Sequence, residues 1–368
     1  MSSNLSEASE VCAKCGAIEA ESKCSRCLRV CYCSKQCQEK HWPLHKKICK
    51  TGAPKPEAGA GQQLLNNMRL FDASFLGDLP TATAMIAEGA DVNWAKPETR
   101  STPLHVASVN GHLSVVNALI AARAAVDRVD AQDWTALMGA AHEGHEAVVV
   151  ALHQVVGSSV VHHVNNEGRT ALHIAAQEGH VGVVRALLRA GANPNVFSTD
   201  QFGATPLTLA SFDGFLAVVE ALIEGGANVN YVTPFDEASS LSLAAQEGHV
   251  EVVRALLAAG ANVDHADPQG ATSLMLAAAK GHIEVVRTLL EAGANVDHTT
   301  AQKVSSLFLA AKEGHVEVVR ALLAAKADPR IIAFNQFTAL MAAKEGSHTA
   351  IIALLEARLA ELAAADSA

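Results

Sequence analysis

Residues Thr170–Asn195 read TALHIAAQEGHVGVVRALLRAGANPN, and this stretch decides the fold. Thr170 stands just ahead of an apolar run, where its hydroxyl can cap the free N–H groups of a helix. Leu172, Ala175 and Ala176 then share one helical face, and Gly179 suits the left-handed residue that ends a helix. Val183, Val184, Leu187 and Leu188 supply the inner face of a returning helix. Gly191 closes that helix, and Asn193–Asn195 begin an extended finger. A single helix–turn–helix of this size cannot bury its own apolar side, so it needs copies of itself stacked on both faces.

The copies are present. Landmark glycines fall at Gly77, Gly111, Gly144, Gly179, Gly214, Gly248, Gly281, Gly314 and Gly346, at intervals of 32 to 35 residues, and six of them precede a histidine. Ahead of them stand TPLH (Thr102–His105), TALM (Thr135–Met138), TALH (Thr170–His173), TPLT (Thr205–Thr208), TSLM (Thr272–Met275) and TALM (Thr338–Met341). The period, the TPLH element and the closing GA-[DN]-x-[ND] resemble an ankyrin-repeat array. The resemblance implies a mainly α solenoid of about nine helix–turn–helix units over residues 63–355. A C-terminal helix and tail are expected over 356–368. Leu64–Val92 lacks the TPLH element and reads as an N-terminal cap, and the ninth unit reads one residue short between Thr338 and Gly346.

Two inter-repeat fingers are longer than the rest: Leu152 to Thr170 and Leu187 to Thr205 each span 18 residues, against 16 for Leu256 to Thr272. Most aromatic residues of the array lie in the inter-repeat fingers as a whole. Phe197, Phe202, Tyr231 and Phe235 are candidates for gripping a protein partner, whereas Trp134 and Phe337 are expected to pack onto the next helix. The recurrent histidines, in the TPLH element and after the landmark glycines, are expected to be structural, bonding to neighbouring backbone. His162-His163, in a lengthened finger, is the exception and points to a surface metal or a partner.

The front of the chain has different chemistry. All eight cysteines lie between Cys12 and Cys49, and a pattern C-x2-C-x8-C-x2-C-x5-C-x3-C-x7-H-x3-C runs through Cys12, Cys15, Cys24, Cys27, Cys33, Cys37, His45 and Cys49. Eight ligands fill two tetrahedral zinc sites with no open position, which is the structural rather than the catalytic kind of zinc. Cys12/Cys15 and Cys24/Cys27 form two knuckles, while Cys33/Cys37 and His45/Cys49 are i, i+4 pairs on helical turns. The order resembles an interleaved arrangement, with Cys12, Cys15, Cys33 and Cys37 on one ion and Cys24, Cys27, His45 and Cys49 on the other. Sequential pairing stays open. Cys31 and His41 are surplus to the set.

The knuckles, the YCS of Tyr32–Ser34, the CQ of Cys37–Gln38, the HW of His41–Trp42 and the closing His45-x3-Cys49 resemble a MYND-type zinc finger over 12–49. The resemblance implies recognition of a short proline-rich peptide by Gln38 and Trp42, which share one helical face; the alternative is that Trp42 covers the zinc core. A pre-extended polyproline segment loses little entropy on docking against an indole. Residues 50–62, including TGAPKPEAGAGQ (Thr51–Gln62), read as a solvated linker.

Charge narrows the function. The first 50 residues carry nine Lys+Arg and five Asp+Glu, whereas the remainder carries 19 and 33, a net −14. Seven thiolates and two Zn2+ ions add −3 to the finger and bring it near neutral, so nucleic acid is not an expected ligand. No run approaches 18 uncharged apolar residues, so no membrane span is expected. Cysteines confined to the finger, together with a start lacking a signal-peptide pattern, point to an intracellular chain of the cytoplasm, the nucleus or both. No G-x-S-x-G, H-E-x-x-H, kinase or Walker motif is present. The expectation is a non-enzymatic protein–protein adaptor; the alternatives are a transcription or chromatin regulator and a substrate-recognition subunit of a modifying enzyme.

Overall fold

The computed structural model describes residues 60–156 and 160–366, together with the backbone pairing of two short strands near the N-terminus. Ser22–Lys23 pairs antiparallel with Cys31–Tyr32, Ser22 opposite Tyr32 and Lys23 opposite Cys31. The eight expected zinc ligands, Gln38 and Trp42 lie outside the described residues.

Among the described residues, 18 α-helices follow one another as nine pairs. The fourth pair, Ala171–Gln177 and Val181–Arg189, shows how the sequence makes them. Thr170 is extended and accepts a hydrogen bond from the His173 amide, while the Thr170 amide donates back to His173 Nδ1. Thr102, Thr135, Thr205, Ser239, Ser305 and Thr338 cap their first helices by the same side-chain acceptance. Each such cap stabilises its helix by about 1 kcal/mol.

One hydrophobic core runs through the whole stack. The first helices bury a column of leucines, Leu70, Leu104, Leu137, Leu172, Leu207, Leu241, Leu274 and Leu307, each at most 1% exposed. Fully burying one leucine contributes roughly 1.5–3 kcal/mol. The second helices add paired valines such as Val183/Val184 and Val285/Val286. Alanines between the helices let the backbones approach closely. Successive first helices pack more intimately than successive second helices. The stack therefore bends with the first helices on its concave side.

Histidine stitches neighbouring units together. His112, His145, His180, His249, His282, His315 and His348 each donate from Nε2 to a carbonyl near the end of the preceding unit's first helix, over 2.8–3.1 Å. Each ring lies against the previous unit's left-handed glycine or its immediate surroundings. In the fifth unit Phe215 takes the ring's place against Gly179.

The ninth unit corrects the sequence reading. Gly346 has an ordinary helical φ of −75°, and Ser347 takes the left-handed position at φ 56°. His348 then follows Ser347 as the other histidines follow glycine, so the unit has its full length. The first helix begins at Ala60, inside the expected linker, and the last, Thr349–Asp366, takes in most of the expected C-terminal helix and tail.

Candidate functional site

The fingers between units are narrow hairpins held by their own side chains. At their bases an Asn or Asp oxygen accepts the amide of the next unit: Asn195 from Asn228, Asn230 from Asn262, Asp264 from Asn295 and Asp297 from Asp328, over 2.6–2.8 Å. Asn93 does the same for Ala125. Among the described residues the rung leaving the third unit is missing, because the buried Val160 stands where Asn195 and Asn230 stand in their fingers.

A second brace ties the fingertips, and sequence reading missed it. Tyr231 donates its hydroxyl to the Gly203 carbonyl at 2.7 Å, His265 Nε2 donates to Glu237 at 2.8 Å, and His163 Nε2 donates to Asp133 at 3.0 Å. All three acceptors have positive φ, which turns their carbonyls toward the next finger. His163 is thus a finger brace. Among the described residues no group of three or more His, Cys, Asp or Glu could hold a metal, so the metal reading of His162-His163 gains no support there.

The lengthened finger between units four and five is a built structure. Asp200 accepts from the Ser198 hydroxyl and from the Phe202 and Gly203 amides. Arg169 of the preceding finger reaches Asp200 at 3.0 Å and also bonds Gln177. Burial opposes the charge on Asp200, but these hydrogen bonds outweigh it and hold the carboxyl below its usual range. A charge-assisted contact of this kind fixes the fingertip more firmly than a neutral one.

The four candidate aromatics come together on this framework. Phe197 stacks on Tyr231, with ring centroids 6.4 Å apart and planes 17° apart. Tyr231 is partly buried, which raises its hydroxyl pKa. Gly203 and Pro234 press so closely that a Cβ on Gly203 would meet Pro234 Cδ at 2.5 Å. Phe202 and Phe235, their sequence neighbours, therefore stand on touching fingertips, 56% and 85% exposed. Trp134 instead packs against the core and meets His142 edge-on at 5.7 Å. Phe337 packs beside Phe308 and Ala342. Phe212, at the end of a first helix, is a further exposed aromatic that sequence reading passed over. Its place just before Asp213-Gly214 was the available signal.

Acidic residues line the ends of the same first helices. The residue before the landmark glycine is Glu143, Glu178, Asp213 and Glu247 in units three to six, all exposed, and Lys280 in unit seven. Burial, reinforced by the charge of Glu178, raises the Asp213 carboxyl pKa; His249 opposes the shift. No helix among the described residues is long and apolar enough to cross a membrane.

This architecture agrees with the comparisons to known proteins. Ankyrin-repeat models match residues 70–160, 151–233, 228–300 and 304–333, and a MYND finger model matches residues 12–49. The chain therefore belongs to the ankyrin-repeat family and carries a MYND finger ahead of its repeats. The finger match opens at Cys12 and closes at Cys49, the first and last expected ligands. MYND fingers bind zinc, and both domain types bind proteins.

Among curated proteins, the chain is 42% identical over 40 residues to the dauer abnormal formation protein 25 of Caenorhabditis elegans. It is 53% identical over 38 residues to the zinc finger MYND domain-containing protein 10 homolog of Drosophila melanogaster. These matches cover 11% and 10% of this chain, and only 10% and 8% of the respective relatives. A third match, 36% over 103 residues, covers 27% of this chain and 79% of the mouse cyclin-dependent kinase 4 inhibitor B.

Proposed function

We propose that this chain is a non-enzymatic adaptor that holds two proteins near one another. The observation that carries the reading is the union, in one chain, of a finger of a protein-binding class and a rigid array whose adjacent fingertips expose aromatic rings. Exposed aromatics held on braced turns lose little entropy on binding, which is the usual character of interface anchors. The mouse relative is by its name an inhibitor of a kinase, a chain acting on another protein. Tethering two modest sites raises avidity through effective concentration.

In this reading Cys12, Cys15, Cys24, Cys27, Cys33, Cys37, His45 and Cys49 hold two structural Zn2+ ions. The donor set fits the metal: seven thiolates and one imidazole complete two tetrahedral sites. Zinc would supply folding free energy to a segment too short to bury a core of its own. Gln38 and Trp42 would bind the proline-rich peptide, and Phe197, Phe202, Tyr231 and Phe235 would contact the second protein. Native mass spectrometry should find two zinc ions per chain. Trp42→Ala should keep both ions and lose capture of a proline-rich peptide. Capture unchanged by that substitution removes Trp42 from the site, and a single ion overturns the ligand set.

A further inference from the structure

The charge and shape of the array specify what its central units bind. Units four to six present Phe202, Phe212 and Phe235 together with Glu178, Asp213 and Glu247, all exposed. Leu209 and Leu243 lie half-buried on the first helices of the fifth and sixth units. The fingertips of this stretch add Asp236 and Glu237, both exposed. Its fingertip cation, Arg169, is already spent on Asp200, Glu167 and Gln177. Unit seven breaks the pattern: Lys280 stands at the corresponding first-helix end and Lys303 at the following fingertip, both exposed, while in unit eight Glu313 is paired with Lys312.

The same few units thus combine apolar anchors with uncompensated negative charge, repeated once per unit. We infer that units four to six form a groove for an extended peptide segment in which Lys or Arg alternates with large aliphatic side chains. Aliphatic groups would cover the exposed phenylalanines, and the cations would meet Glu178, Asp213 and Glu247 in turn. Complementary charge of this kind sets register and the rate of encounter as well as excluding acidic partners. The inference rests on the array being a protein-binding surface, and adds to that reading the place and chemistry of the ligand.

The test uses the full chain and three short labelled peptides: alternating Lys/Leu, alternating Glu/Leu and alternating Lys/Ser. Fluorescence anisotropy should show the Lys/Leu peptide binding tightest. Glu178→Lys with Asp213→Lys, and separately Phe202→Ser with Phe235→Ser, should each weaken it by about tenfold or more, a loss of about 1.4 kcal/mol. These side chains are exposed, so thermal melts should stay unchanged. Glu284→Lys with Glu317→Lys, on the second helices, removes exposed pairs with Arg287 and Arg320 but should change binding less than about twofold, since only general attraction to an acidic protein links these positions to the peptide. Equal weakening by this pair, or no binding of Lys/Leu, overturns the inference. If Glu/Leu binds best and loses affinity on Phe202→Ser with Phe235→Ser, the basic ligand is wrong while the array remains a protein-binding surface.

Discussion

Single residues set how tightly each unit closes. Ser347 occupies the left-handed position that glycine fills elsewhere, at φ 56°. A Cβ there costs roughly 1–2 kcal/mol, less what glycine loses in unfolded-state entropy. Ser347→Gly should therefore stabilise the last unit by about 1 kcal/mol, seen as a higher urea midpoint at unchanged slope. His173 makes a second residue-scale case. It is fully buried, accepts from Thr170 through Nδ1 and donates to the Ala204 carbonyl at 3.2 Å. Burial pushes its pKa down to about 4, and burial lowers His105 as well. The unfolded chain takes up a proton near pH 6.5 that the folded chain refuses. Stability is therefore complete above about pH 6.5 and falls as pH drops toward 4, by roughly 3 kcal/mol from His173. His173→Thr copies the fifth unit, where Thr208 keeps the reciprocal cap with Thr205. In that variant, urea midpoints between pH 7 and 5 should fall less steeply than in the unaltered chain. Equal slopes would clear His173 of the effect.

At the scale of the helix, the first turn shows where the array departs from its own best solution. Pro103 and Pro206 open two first helices at a position whose N–H has no partner within the helix. Ser240, Ser273 and Ser306 stand there in units six to eight, with hydroxyls buried and without a hydrogen-bond partner. Thr272 ahead of Ser273 is already extended, as a residue before proline must be. Ser273→Pro should raise stability by about 1 kcal/mol, through lost unfolded-state entropy and removal of an unsatisfied hydroxyl. A lower melting temperature by calorimetry would show that the ring does not fit. The periodic elements were legible because leucine, valine and the capping hydroxyls recur with helical spacing. The ninth unit misleads because a glycine beside the turn looks like the turn itself. The nine-residue step from Thr338 to Ser347 and the following His348 were the available signal, and the backbone angles confirm it.

Across the whole molecule, repeats touch only their neighbours, so stability is close to a sum of unit and interface contributions. Zinc should matter to the finger alone. Chelation should remove the metal and leave the helical circular-dichroism signal and melting temperature of the array within error of the untreated chain. A lowered melting temperature would mean that finger and array fold as one. Val160 offers no side-chain acceptor to the unit that follows it, so hydrogen exchange should be faster at the Asn193 amide than at Asn228, Asn262 or Asn295, whose amides are held by Asn or Asp oxygens. Uniform protection would contradict that.

The sequence by itself determined the repeat, its period, the composition of its core and the class of its finger, since each follows from local spacing and residue type. It also nominated Phe197, Phe202, Tyr231 and Phe235. Only the tertiary structure decided that Phe197 lies on Tyr231, that Gly203 and Pro234 bring Phe202 and Phe235 onto touching fingertips, and that Phe212 is exposed in the same units. Those placements depend on residues about thirty positions apart meeting across a unit boundary. Left-handed backbone at Gly203 aims the carbonyl that holds Tyr231, as it does at Glu237 for His265 and at Asp133 for His163. Residue order fixes neither the meeting nor the aim until the units are stacked.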